Sequence, residues 1–165
     1  MNPSKKVMVI GGLVLVMVGM AFGLWYAMFA EHQQLEEMGK QPTTGFVLAA
    51  ERKLPESHSA IHSYARSHYD YVRNVDAHSH WGGLAVLLIV LGTVFHRAGL
   101  RESTRQVLAG AFVLGAFLFP LGVVLETVDH GHLPQALAVA GSVLVIASLA
   151  VTALGFMRGG NPERV

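Results

Sequence analysis

The sequence predicts an all-α fold: an integral membrane four-helix bundle with an amphipathic surface helix on its outer side. Three observations predict it. Of 165 residues, 52% are hydrophobic and only 14% charged, against roughly a quarter charged in soluble domains. Most apolar residues gather into four runs close to the ~20 residues that a helix needs to cross a bilayer. The one long polar stretch between those runs spaces its own apolar side chains at helical intervals. The mean hydropathy of +0.45 agrees with this class.

The first span, about 7–30, follows the basic segment MNPSKK. Its 24 residues exceed the apolar core of a signal peptide, and no small-x-small cleavage site follows, so it reads as an anchor. The outer loop, 31–79, comes next. Glu31 to Pro55 is polar apart from FVLAA and reads as irregular or partly helical. From Pro55, PESHSAIHSYARSHYDYVRNVDA reads as an amphipathic helix over about 55–77, with proline in its first turn. Ile61, Tyr64, Ala65, His68, Tyr71, Val72 and Val75 form its apolar stripe at steps of three and four. That stripe is expected to lie on the membrane surface or to cap the outer helix ends.

The remaining spans are about 80–95, 107–128 and 135–157, so residues 1–165 form a single membrane domain. Pro120, with Gly122 beside it, is expected to kink the third span. Small residues such as Gly19, Gly23 and Ala27 suit close helix contact and are read as ordinary packing.

Orientation follows from positive charge. Lys5, Lys6, Arg97, Arg101, Arg105, Arg158 and Arg164 lie on one side, opposed there by Glu102 and Glu163. The outer loop holds seven acids and five bases. Both termini are therefore expected in the cytoplasm and the loop in the periplasm, at a bacterial inner membrane. The chain has no cysteine, which excludes disulfides, thiolate metal sites and covalent haem attachment. A net charge of +1 gives no reason to expect a nucleic-acid partner.

On this topology eight of the nine histidines fall on the outer side, and only His96 lies inside. His58 and His62 stand four apart on the surface helix, a spacing that lets two imidazoles reach one metal. Two gaps between spans carry the rest of the polar chemistry. VDAHSHWGG places His78 and His80 at the start of the second span, and LETVDHGHL places Glu126, Asp129, His130 and His132 between the third and fourth. A short inner connection makes the second and third spans antiparallel neighbours, which sets His80 level with Glu126 and His130. Glu126 lies within the apolar run, where an unpaired carboxyl is costly and a functional role is the default. His78 and His80 point about 200° apart on a helix, and His80 is taken as the inward one.

These residues support several chemistries. Haem b would take axial ligands from His80, His130 and His132, with His78 and His68 as replacements and Arg66 or Arg73 for the propionates. A bare copper, zinc or iron ion would take His80, His130 and His132 with Glu126 or Asp129. A metal-free site would use imidazole and carboxylate to move protons during quinol oxidation. Helix ends are also polar simply because they meet water and headgroups, and a purely structural subunit would tolerate alanine at His80, His130 and Glu126 together.

The segment AHSHWGG resembles helix starts in small membrane relatives of the haem–copper oxidase catalytic subunit. The resemblance implies haem or copper at His78 and His80. It stops at one helix, because no further histidine lies within the third or fourth span. The expectation is a membrane-bound haem- or metal-binding redox subunit, passing electrons between a quinol or a periplasmic redox protein and other membrane subunits of a larger complex.

Overall fold

A computed structural model describes residues 2–129 and 131–159, and His130 lies outside them. The described chain folds into five α-helices: α1 (Pro3–Phe29), α2 (Glu31–Ala50), α3 (Leu54–Val94), α4 (Glu102–Leu125) and α5 (His132–Gly159). A short 3-10 turn, Phe95–Arg97, links α3 to α4. Four of the helices, α1, α3, α4 and α5, are long and apolar enough to cross a membrane.

The amphipathic segment does not form a separate helix lying across the bundle. It continues into the second span as one helix of 41 residues, about 60 Å long at 1.5 Å per residue. Nothing between Asp76 and Trp81 breaks a helix, and the change from polar to apolar composition does not interrupt the backbone hydrogen bonds. A hydrocarbon core of about 30 Å would take up only half of this length. The other half projects as a hairpin with α2.

Residues 31–50 are thus helical, which their composition conceals. Gly39, Pro42, Thr43, Thr44 and Gly45 are poor helix formers, and α2 is held by what it packs on. Ser57 donates to the Gly45 carbonyl at 2.8 Å, and Gln41 donates to the Ser67 hydroxyl at 3.4 Å. The hairpin turns at Arg52, whose φ of 60° is left-handed. Lys53 N–H donates to the Leu48 carbonyl and Arg52 N–H to the Ala49 carbonyl, the paired bonds that close a helix with a left-handed residue.

α1 packs against both α3 and α4, α3 packs against α4, and α5 lies chiefly on α4. The core runs through Met8, Leu15, Trp81, Leu88, Phe95 and Phe112, all nearly inaccessible. Trp81, which suits a membrane-interface aromatic by sequence, is instead buried and meets Phe22 edge-on at 5.4 Å. Close approach depends on glycine. A Cβ at Gly12 would lie 2.8 Å from the Ala85 carbonyl, and one at Gly115 would lie 2.7 Å from that of Gly141. α4 runs on through Pro120, which is buried.

Candidate functional site

The α3–α4 register decides which polar groups meet. α3 and α4 run antiparallel in a single register, in which level residues are placed symmetrically about Gly99 and Leu100. His80 therefore lies against Phe119, with ring centroids 4.8 Å apart. Glu126 lies two turns further out, about 10 Å along the helix, opposite the hairpin half of α3 rather than opposite His80.

There Glu126 meets Arg73 and Tyr69. Arg73 Nη2 stands 3.2 Å from Glu126 Oε2, and the Tyr69 hydroxyl donates to the same oxygen at 3.1 Å. The Arg73 guanidinium also lies over the Tyr69 ring, 4.9 Å from its centroid. The carboxylate side chain is only 15% accessible, and this cation and phenol are what make its position tolerable. With Gly131 and Gln135 they line a polar recess of about 260 Å³. Glu126 is thus engaged by an arginine and a tyrosine that the sequence reading assigned, in the case of Arg73, to haem propionates.

His78 faces the other way. Its Nδ1 lies 2.9 Å from the Gly19 carbonyl of α1. A carbonyl oxygen can only accept, so Nδ1 carries a proton, and whenever the ring is neutral Nε2 is the acceptor. Gly23 makes room for the ring: a Cβ there would lie 2.5 Å from His78 Cε1. His78 lines a cavity of about 400 Å³ between α1 and α3, walled mainly by Met20, Leu24, Ala27 and Val75. Its polar lining comes from Tyr26, Glu31 and Asn74. The Tyr26 hydroxyl donates to Gln34 Oε1 at 2.6 Å, and Asn74 donates to the Asp70 carbonyl at 2.9 Å. Three residues on from His78, the buried Trp81 Nε1 has no hydrogen-bond partner among the described residues.

The other candidates are dispersed. His68 is exposed beside Tyr64, with ring centroids 5.8 Å apart. His132 is the exposed first residue of α5. Asp129 is exposed and accepts the Gly131 N–H at 2.9 Å. His58 and His62 are exposed on the hairpin. Among the described residues no three histidine, aspartate or glutamate side chains converge as a metal-ligand group.

Sequence reasoning missed the α1 side of the site. Gly19 and Gly23 read as packing, yet one supplies the carbonyl that fixes His78 and the other the space for its ring. Their spacing of four, against two histidines at the start of the second span, was the available signal. No family model, curated protein or solved structure matches the chain.

Proposed function

We propose that the chain is an integral membrane subunit of a redox complex and that it binds a quinol in the His78 cavity. The observation that carries this reading is the 2.9 Å contact of His78 Nδ1 with the Gly19 carbonyl. Its Nδ1–H is committed to the Gly19 carbonyl, which leaves Nε2 to accept a hydrogen bond from a quinol hydroxyl. The apolar walls suit a ring that partitions from lipid, and a cavity of about 400 Å³ falls within the range of small-molecule sites. Oxidation of the quinol releases two protons and two electrons. His78 would take one proton at Nε2, and Glu31, which also lines the cavity, would take the other. A haem- or copper-bearing partner subunit would accept the two electrons in two successive one-electron steps.

In this reading the positively charged ends of α1, α4 and α5 face the cytoplasm of a bacterial inner membrane, and the α2–α3 hairpin stands in the periplasm. A second reading draws on the same bond. Imidazoles that bind metal commonly donate their other N–H to a carbonyl, so Nε2 of His78 also suits axial ligation of haem b or of a copper, zinc or iron ion. His80 lies on the opposite side of α3 and would serve a separate site with His132 or His130.

One preparation separates the two. The purified protein is analysed for metal, its spectrum is recorded oxidised and reduced, and tryptophan emission is followed while a short-chain quinone is titrated in. Saturable quenching that disappears in His78→Ala supports the quinol site. Haem bands that disappear in the same variant replace it with the cytochrome reading. Neither signal leaves a subunit that only packs on its partners.

A further inference from the structure

We infer that α3 pairs with α3 of a second copy of this chain, along a face that the single chain leaves largely exposed. From Leu54 to Val86 two sets of positions recur at every seventh residue. Leu54, Ile61, His68, Val75 and Gly82 form one set. His58, Ala65, Val72, Ser79 and Val86 form the other, four residues on from the first. Alternating steps of four and three give a repeat of about 3.5 residues, the spacing that keeps one seam against a partner helix as the two supercoil.

All ten positions are exposed. Leu54 is 58% accessible, Ile61 53% and Val86 58%. The other helices flank this face, and Ile61 and Val75 stand at its edge, Ile61 beside Gly45 of α2 and Val75 in the cavity lined by α1. α1 and α2 take the side of Ser57 and His78, while α4 takes the side of Arg73 and His80.

Two features select a second copy as the occupant. The seam is continuous from the polar hairpin half of α3 into its apolar half, so the partner must itself pass from water into hydrocarbon at the same level. A lipid chain would cover only the apolar half, and a soluble helix only the other. In addition, none of the ten positions is Asp, Glu, Lys or Arg, so two identical seams approach without a permanently charged side chain facing its copy. Where the seam enters the apolar half, a Cβ at Gly82 or Gly83 would meet no described atom within 4 Å. Small residues on an open face allow the close approach by which membrane helices associate. Copies inserted in one orientation pair in parallel about a twofold axis, which sets His68 opposite His68 and Val72 opposite Val72.

The absence of native cysteine makes the test direct. Single variants Ala65→Cys, Val72→Cys and Ser79→Cys are placed on the seam, with Ser59→Cys, Ser63→Cys and Arg66→Cys as controls elsewhere on α3. Each full-length variant is oxidised in its native membrane, and the mass of any adduct is measured. The expected result is a covalent dimer of twice the chain mass, formed several-fold more from the seam positions than from the controls. The unmodified protein in nanodiscs should have the same doubled mass, and Val72→Lys should return it to that of one chain with helical content retained. Equal cross-linking at both sets, none at either, or an adduct of another mass would overturn the inference. So would a monomer in nanodiscs.

Discussion

Gly23→Ala tests the His78 site without removing its imidazole. The added Cβ would lie 2.5 Å from His78 Cε1 and 2.6 Å from Nδ1, where ordinary contact begins at 3.4 Å. The ring must therefore retreat by about 0.9 Å, which stretches the 2.9 Å bond to Gly19 to about 3.8 Å, too long for a hydrogen bond. Loss of that bond costs about 0.5–1.5 kcal/mol. Replacing glycine with alanine inside a helix returns about 1 kcal/mol. The two nearly cancel, so a melting temperature is the wrong readout. The tautomer is the right one. With nitrogen-15 histidine, wild-type His78 should show the proton on Nδ1, and Gly23→Ala should show a mixture. Quinone affinity should fall about tenfold, the equivalent of ~1.4 kcal/mol. As a control, Gly39→Ala, where a Cβ meets nothing described within 4 Å, should change neither. An unchanged tautomer and affinity in Gly23→Ala would refute the claim that the Gly19 carbonyl fixes His78.

Further substitutions probe the rest of the frame. Gly122→Ala brings a Cβ against the backbone of Ala138 and within 2.8 Å of the Pro134 carbonyl. Backbone cannot rotate away, so α4 and α5 must part at a cost of about 1–3 kcal/mol, seen as a lower unfolding temperature in detergent. Arg52→Gly removes the Cβ from a left-handed residue and should slow hydrogen exchange across the hairpin, stabilising it by up to about 1 kcal/mol. Glu126→Gln keeps an acceptor for Tyr69 but removes the charge facing Arg73. Because that pair is partly exposed, the loss should be no more than about 1 kcal/mol and should shrink as salt is raised, which thermal unfolding at two ionic strengths would check.

The four long apolar helices were legible because hydropathy is a local property, and each run carries its signal alone. The end of the amphipathic helix was not. Polarity changes near Ala77, yet a helix ends at a breaker or a cap, and Asp76 to His80 contains neither. α2 was hidden for the opposite reason: its glycines and Pro42 argue against a helix, and contacts with Ser57 and Ser67 on α3 override them. Part of the site could have been counted from the sequence. Arg73 and Glu126 lie 22 and 25 residues from the two ends of the 95–101 connection, and His80 and Phe119 lie 15 and 18, so antiparallel counting brings each pair to within about one helical turn and no closer. The bond from His78 to Gly19 could not be counted, because it depends on how α1 docks on α3 across 59 residues of chain.

Val75 joins the two proposals. It lines the His78 cavity, and it also stands in the exposed seam of α3. A second α3 laid along that seam would therefore border the cavity on the side away from α1 without touching the Gly19 carbonyl. Two cavities would then lie on either side of the twofold axis, each partly walled by the other copy. This makes Val75 unsuitable for testing either proposal alone, since its loss would alter ring contacts and seam together. Val72 and Ala65 lie in the seam but outside the cavity lining, while Gly23 lies in the cavity lining on α1. If Val72→Lys dissociates the pair and also weakens quinone binding, the second copy completes the cavity wall. If it dissociates the pair and leaves binding unchanged, α1 and α3 of one chain suffice.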